Sequence, residues 1–212
     1  MFSIVVAADR KRGIGKGGAL PWKLKGDMRY FRELTSCPDS VAVAARYRMD
    51  QAFKDKRQFT WETLTARIGG APALPAANPG SRNAVLMGRK TWDSLPVRFR
   101  PLPDRLNGVL SRNLTPGVFH GSHHVWPSLT TALEALARDL SVKNIFVIGG
   151  GEIYAEALLR PDCARVYLTD IEGEFPCDTF LPKLGTPFRE SASSPILEED
   201  GIAYRFRLFE RT

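Results

Sequence analysis

Apolar residues fall along this chain in two rhythms. Continuous runs at 2–8 (FSIVVAA), 83–87 (NAVLM) and 144–148 (NIFVI) predict strands covered on both faces, and shorter runs predict strands at 106–110 and 165–172. Between them, spacing of three to four residues marks helices. One spans 24–36, with Leu24, Asp27, Phe31 and Leu34 on one face. A short one follows Gly88 and ends near Leu95-Pro96. A third covers 129–140, with Leu129, Leu133, Leu136 and Leu140 aligned and Ser128 as N-cap, and a fourth covers about 152–159. Residues 188–197 and 202–210 pair as a hairpin across Asp200-Gly201. Strands alternating with helices imply an α/β chain. The expected fold is a single domain whose central, mostly parallel, twisted sheet has about eight strands, an antiparallel C-terminal edge hairpin and flanking helices. No internal repeat is present.

The stretch 37–82 breaks this alternation. Val41, Ala45, Met49 and Phe53 are spaced at four, 60–68 forms another short helical pattern, and 69–81 is rich in Gly, Pro, Ala and Asn. A connection this long is unusual in a compact domain, so it reads as a partly helical surface insertion. The net charge is +7, from 30 Lys and Arg against 23 Asp and Glu, with a local excess between 46 and 57. The charges are otherwise dispersed and no aromatic–basic repeat occurs, which argues against nucleic acid and suits a multiply charged small anion. No apolar run is long enough to span a membrane, and residues 1–8 read as a strand, not a secretory signal. Cys37, Cys163 and Cys177 are odd in number and far apart, which suits a reducing cytosol and no disulfide framework or metal site. His120, His123 and His124 crowd one segment, read as a solvated loop without a nearby Cys or carboxylate.

Several segments carry chemistry. Pro21 marks a helix start, and Asp27 follows within an apolar face. Either Asp27 sits on the rim, favoured by the helix dipole, or it is desolvated with a raised pKa, as a proton handler or a clamp for an amidine-like ring. The strand at 83–87 delivers Gly88, Arg89, Lys90 and Thr91 to a helix start, and the strand at 144–148 delivers Gly149, Gly150 and Gly151 to another. Ser111-Arg112 closes a third strand. If these strands are neighbours, their ends share one crevice suited to an adenine dinucleotide with an additional phosphate, hence NADPH over NADH. The glycine-rich loop 13–18 lacks dinucleotide-fingerprint spacing and runs into Leu-Pro-Trp, so that motif is rejected. Arg105, anchored at a strand start, is a fork donor for a ligand carboxylate, whereas Arg98 and Arg100 read as surface residues.

These segments together resemble dihydrofolate reductase over nearly the whole chain except the insertion: GIGKGGALPW (13–22), D-x-x-x-F (27–31), VLMGRKTWDSLP (85–96), FRPLPDRLN (99–107), VLSR (109–112), FVIGGGEIY (146–154) and VYLTDIEGEFPCDTFLP (166–182). The resemblance implies NADPH-dependent reduction of 7,8-dihydrofolate to 5,6,7,8-tetrahydrofolate, by hydride transfer to pterin C6 and protonation at N5. It implies that Asp27 holds the pterin 2-amino group and N3 and favours protonation at N5, braced by Thr169. Leu20 lies in a mobile loop over the site. Leu24 and Phe31 contact the pterin and aminobenzoyl groups, with Leu95, Pro96 and Leu102 opposite, and Arg105 takes the glutamate α-carboxylate. Val5 and Ile148 present carbonyls to the pterin, with Tyr154 nearby. Ala7 and Ile14 frame the nicotinamide. Gly88, Arg89, Lys90, Thr91, Ser111, Arg112, Gly149, Gly150, Gly151, Glu152 and Ile153 form the rest of the cofactor site, with a cis Gly149–Gly150 bond. It further implies a cytoplasmic, monomeric antifolate target of one-carbon metabolism, with no metal.

Two departures stand out. Gly108 replaces an apolar strand residue, which either loosens that strand or brings a backbone closer. The insertion is long, and its Arg46, Arg48, Lys54, Lys56 and Arg57 either decorate the surface or assist capture of polyglutamylated folate. Some members are fused to thymidylate synthase; this chain ends soon after its last strand, so no second enzyme is expected. Reductases of riboflavin biosynthesis share the architecture, but Asp27 after Leu-Pro-Trp and Arg105 after Arg-Pro-Leu discriminate against them. A non-catalytic protein that retains NADPH or binds RNA is the remaining alternative.

Overall fold

The computed structural model describes residues 1–36, 80–119 and 123–212. In chain order the strands are β1 (Phe2–Asp9), β2 (Gly13–Gly15), β3 (Arg82–Gly88), β4 (Arg105–Leu110), β5 (Gly117–Phe119), β6 (His123–Trp126), β7 (Val142–Val147), β8 (Cys163–Glu172), β9 (Thr179–Phe180), β10 (Phe188–Ser193), β11 (Leu197–Glu199) and β12 (Ile202–Arg211). The α-helices are α1 (Lys25–Thr35), α2 (Arg89–Ser94), α3 (Leu129–Arg138) and α4 (Gly151–Leu159). The insertion expected at 37–82 lies largely outside the described residues, as do Cys37 and His120.

Among the described residues the main sheet has ten strands, ordered β10-β12-β8-β1-β7-β3-β4-β6-β5 with β11 also on β12. The six from β8 to β6 are mutually parallel. The C-terminal β12 and β10 add antiparallel strands at the edge, as expected, and the short β11 and β5 bring the sheet to ten. Alternation along β1 separates two cores. Ile4, Val6 and Ala8 pack with Leu129, Leu133 and Leu136 of α3 and Ala157 and Leu158 of α4. On the other face Val5 joins Val85, Met87, Leu102 and Phe146, against which Phe31 and Leu34 of α1 pack. Both faces being covered explains why the central strands read as unbroken apolar runs.

Helix α1, Lys25–Thr35, lies within one residue of the expected 24–36 at each end, and its first N–H groups find their acceptor elsewhere in the fold. The structure departs from the pattern at four places. Part of the 13–18 loop is strand β2, paired with β9. His123 and His124 lie on strand β6, not in a loop; His123 packs tilted against Trp92 and His124 stacks on Trp126. Leu140 is 89% exposed, since α3 ends at Arg138 and the Asp139 carboxylate turns the chain by accepting from Ser141 N and Oγ. The stretch read as one strand at 188–197 is split. Ser194 exchanges bonds with Phe206 through its N–H and Oγ, and Pro195 has no N–H to continue the ladder. The Asp200-Gly201 turn has positive φ at both residues (51° and 75°), the requirement of a tight hairpin.

Gly108 is explained by packing. A Cβ there would collide with Leu86 Cδ2 and lie 2.6 Å from Trp126 Cζ3, so the indole of Trp126 occupies the space of the missing side chain.

Candidate active site

Asp27 lies in the first turn of α1 and is 4% exposed. Tyr167, Thr169 and Ile171 alternate along β8, where Thr169 is in register with Ala7 of β1, and the Thr169 hydroxyl donates to Asp27 Oδ1 at 2.7 Å. Burial pushes the Asp27 carboxyl up to about 6; the Thr169 bond opposes that rise and the negative charge of Glu199 adds to it. Of the two readings of Asp27, the desolvated acid is the one the structure holds.

Two turns further along α1, Thr35 is fully buried. Its hydroxyl donates to Phe31 O at 2.7 Å and accepts from Arg105 Nη1 at 2.6 Å. Arg105 Nε donates to Pro103 O at 2.9 Å, and the guanidinium lies 5.7 Å from the centre of the Phe31 ring. Arg105 is 7% exposed, and burial lowers its pKa to about 10, helped by the nearby Arg32 charge and opposed by Asp104. It is thus a buried cation that, among the described residues, has no carboxylate partner, a state that calls for an anion. Asp27 and Thr35 are eight positions apart, about 12 Å along the helix. Phe31 lies between them, and with Leu34 and Leu95 it packs against the cluster that holds Val5 and Leu102. Leu24 is buried at the acid end beside Trp22 and Tyr30. The result is an elongated site with an acid at one end, an apolar middle and a cation at the other.

Three further features belong to this wall. The Ile148 N–H donates to Leu86 O at 2.9 Å. The Val5 carbonyl accepts from the buried Tyr154 hydroxyl at 2.8 Å and keeps a second lone pair. Among the described residues the buried Trp22 indole N–H has no acceptor. Such a donor is ordinarily satisfied by a water or a ligand atom. Pro96 and Leu20 are exposed at the rim. Leu20 follows a tight turn closed by mutual Lys16–Ala19 bonds and tied down by Gly17 N to Asp178 Oδ2 at 2.7 Å.

The second part of the site lies at the carboxyl ends of β7, β3 and β4, which are neighbours, so the three predicted junctions do converge. Gly88 N donates to Gly149 O at 2.7 Å, and the Gly149–Gly150 bond is cis. A Cβ at Gly150 would stand 3.2 Å from Thr91 Oγ1, one at Gly88 would stand 3.3 Å from Ile153 Cγ1, and one at Gly151 would stand 3.0 Å from Thr179 Cγ2 and 3.9 Å from Ile14 Cδ1. Residues from β2, β3, α2 and α4 therefore meet around bare backbone. Helix α4 begins here, with Glu152 exposed in its first turn. Lys90 and Arg112 are exposed, and Arg89 pairs with Asp93 at 3.0 Å. Ser111 is buried, its Oγ accepting from Asn113 and Leu114 N–H at 3.3 and 3.2 Å, which leaves its O–H proton as a donor. A cleft of hydroxyls, free backbone and cations fits a phosphate-bearing dinucleotide. No group of three or more His, Cys, Asp or Glu among the described residues is arranged to hold a metal, and no helix among them is long and apolar enough to cross a membrane.

Sequence reasoning missed four supporting residues. Thr35 had a signal, lying four positions after Phe31 on the Asp27 face. Asn107 had none: its Oδ1 accepts from Leu102 N and its Nδ2 donates to Leu102 O and Arg105 O, fixing the loop between wall and cation. Asp9 is buried and accepts from Lys11, Gly13 and Phe175 N–H, joining β2 to the segment before β9. Glu199 acts from the opposite end of the chain.

The chain matches the family model described as dihydrofolate reductase over residues 1–44 and 79–211. It is 34% identical over 215 residues to the dihydrofolate reductase of Drosophila melanogaster, covering 99% of this chain and 97% of that one. It is 31% identical over 218 residues to that of Aedes albopictus, covering 99% and 97%. It is 38% identical over 215 residues to the bifunctional dihydrofolate reductase-thymidylate synthase of Daucus carota, covering 99% of this chain and 34% of that one. The chain thus spans about a third of the length of its bifunctional relatives.

Proposed function

The chain belongs to the dihydrofolate reductase family, and from that premise we propose that it reduces 7,8-dihydrofolate to 5,6,7,8-tetrahydrofolate with NADPH. The observation that carries this reading is the elongated wall of α1: the buried acid Asp27 at one end and, at the other, the cation Arg105, which has no carboxylate partner among the described residues. Dihydrofolate has matching ends, an amidine-like pterin edge and a glutamate carboxylate.

A nicotinamide cofactor bound in this cleft would supply the hydride for pterin C6. The chain supplies orientation, water exclusion and a proton source. Asp27 accepts from the pterin 2-amino group and N3, while Thr169 fixes the carboxylate through Oδ1. With its pKa raised to about 6, the Asp27 carboxyl is still about one-tenth protonated at pH 7 and favours the proton reaching N5, whereas an ordinary carboxyl is almost wholly ionised there. The Val5 and Ile148 carbonyls receive the pterin edge, and Tyr154 holds the first of them. Leu24 and Phe31 form one wall, Leu95, Pro96 and Leu102 the other, and Leu20 closes over the top. Arg105, held by Thr35 and Pro103, engages the α-carboxylate through its unused donors. Ala7 and Ile14 frame the nicotinamide. Gly88, Gly149, Gly150, Gly151, Glu152 and Ile153 line the dinucleotide, with Arg89, Lys90, Thr91, Ser111 and Arg112 for its phosphates. The cationic set supports NADPH over NADH. The gap in the family match, 45–78, supports reading 37–82 as an insertion. We propose a cytoplasmic monomer without a nucleic-acid or membrane partner.

Loss of nicotinamide absorbance from NADPH on adding dihydrofolate tests the reaction, with NADH and Asp27→Asn in parallel. Turnover that prefers NADPH, with Asp27→Asn slowed about 100-fold or more, is expected. No turnover while NADPH still binds overturns the reading and favours a related reductase of a non-pterin substrate or a binding protein.

A further inference from the structure

Helix α1 is capped from outside itself. Leu24 at the N-cap offers no side-chain bond. Instead the backbone N–H groups of Lys25 and Gly26 donate to Glu199 Oε1 and Oε2 at 2.6 and 2.8 Å. Glu199 ends β11, the short strand that lies off the main path of the sheet and pairs with β12 alone. Gly26 is bare because its missing Cβ would collide with the Tyr204 hydroxyl, with Glu199 Oε2 only 3.3 Å away. Glu199, Tyr204 and the start of α1 are thus in close mutual contact, and Asp27 is the next residue along.

This placement has two electrostatic effects of the same sign. A carboxylate on the free N–H groups of a first turn takes up the positive end of the helix dipole, which otherwise favours an ionised Asp27. It also brings a like charge towards Asp27. We propose that Glu199 is a positioning residue for the reaction: by binding the first turn of α1 it fixes the start of the helix and holds Asp27 in a protonatable state. This rests on the reading of Asp27 as the acid of dihydrofolate reduction.

The remaining groups around Asp27 do not supply the effect. Thr169 on β8 does not titrate and favours the ionised form. Tyr30 on α1, Tyr154 on α4 and Tyr204 on β12 are the other titratable neighbours; each is pushed upward by burial and stays neutral in the working range, Tyr204 at about 12. Lys25 and Arg29 are the cations of the same turns. Among the described residues, Glu199 is the carboxylate whose charge adds to the rise at Asp27.

The test uses the full chain and Glu199→Gln, Glu199→Ala and Glu199→Asp. The Asp27 carboxyl is titrated by 13C NMR, with Asp27→Asn assigning its signal, alongside the pH profile of kcat/KM. The first two variants remove the charge, and we expect the Asp27 midpoint to fall by about half a pH unit. The rate at pH 8 then falls about threefold, with little change below the midpoint. Glu199→Asp keeps the charge and keeps the midpoint, even where a shorter side chain lowers the melting temperature. A midpoint unchanged in the uncharged variants, or one that moves equally in all three, overturns the proposal and leaves Glu199 a helix cap only. If the parent fails to reduce dihydrofolate, the reading of the reaction falls, and the carboxyl titration still decides the coupling between Glu199 and Asp27.

Discussion

Asp27 costs the fold stability that the reaction requires, and the cost is measurable. Its carboxyl is raised by burial from an ordinary 3.8 to about 6. The folded protein therefore holds this proton more tightly than the unfolded chain. The group's favourable contribution is complete below pH 3.8 and is lost as pH rises through about 6. A gap of about two units at about 1.4 kcal/mol per unit means that above pH 7 the ionised, buried Asp27 destabilises the protein by about 3 kcal/mol, against about 0.5 kcal/mol at pH 4. Asp27→Asn removes the charge at every pH and keeps an oxygen to accept from Thr169. The variant is expected to be more stable than the parent by up to about 3 kcal/mol near pH 7.5, a difference that shrinks to under about 1 kcal/mol near pH 4. Urea unfolding of both proteins without ligand, at several pH values between these, reads the difference directly. On the proposed role of Asp27 as the acid, activity is expected to move the other way. A difference constant with pH, or one that grows as pH falls, refutes the reasoning, because it means that the fold favours the Asp27 carboxylate or is indifferent to it.

Other expected outcomes follow from the far end of the wall and from the sheet. Arg105→Lys loses the fork geometry and lowers kcat/KM for dihydrofolate by about 10- to 100-fold, chiefly through KM. Thr35→Val, which removes only the hydroxyl that orients Arg105, acts in the same direction and less strongly, and a fall in kcat at constant KM in either variant rejects the anchor role. Gly108→Ala drives a methyl into Leu86 and the Trp126 ring and costs about 1–3 kcal/mol, read as a melting temperature several degrees lower with altered tryptophan fluorescence. An unchanged melting curve means that Trp126 does not need that space.

The sequence by itself determined the layers of this protein and much of its chemistry. Burial on one or both faces leaves a local period, so Ile4, Val6 and Ala8 against Val5, or Leu129, Leu133 and Leu136 on one stripe, are readable residue by residue. The motifs at Arg89–Thr91 and Gly149–Gly151 are short segments whose positions follow from the strands that precede them, and Asp27 sits on the helix that its own apolar spacing predicts. Tertiary structure decided which distant polar groups meet, although the family resemblance already implied that Thr169 braces Asp27. Thr169 reaches Asp27 across 142 residues, Arg105 reaches Thr35 across 70, and Glu199 caps α1 across 174. No local pattern records such pairs, because one hydrogen bond needs one donor and one acceptor at a point in space and imposes no period on either segment. The same reason explains β2, which exists only because β9 lies next to it. Whether Asp27 was a rim residue or a buried acid also belonged to the fold: its charge is set by desolvation, and desolvation is a property of everything packed around it.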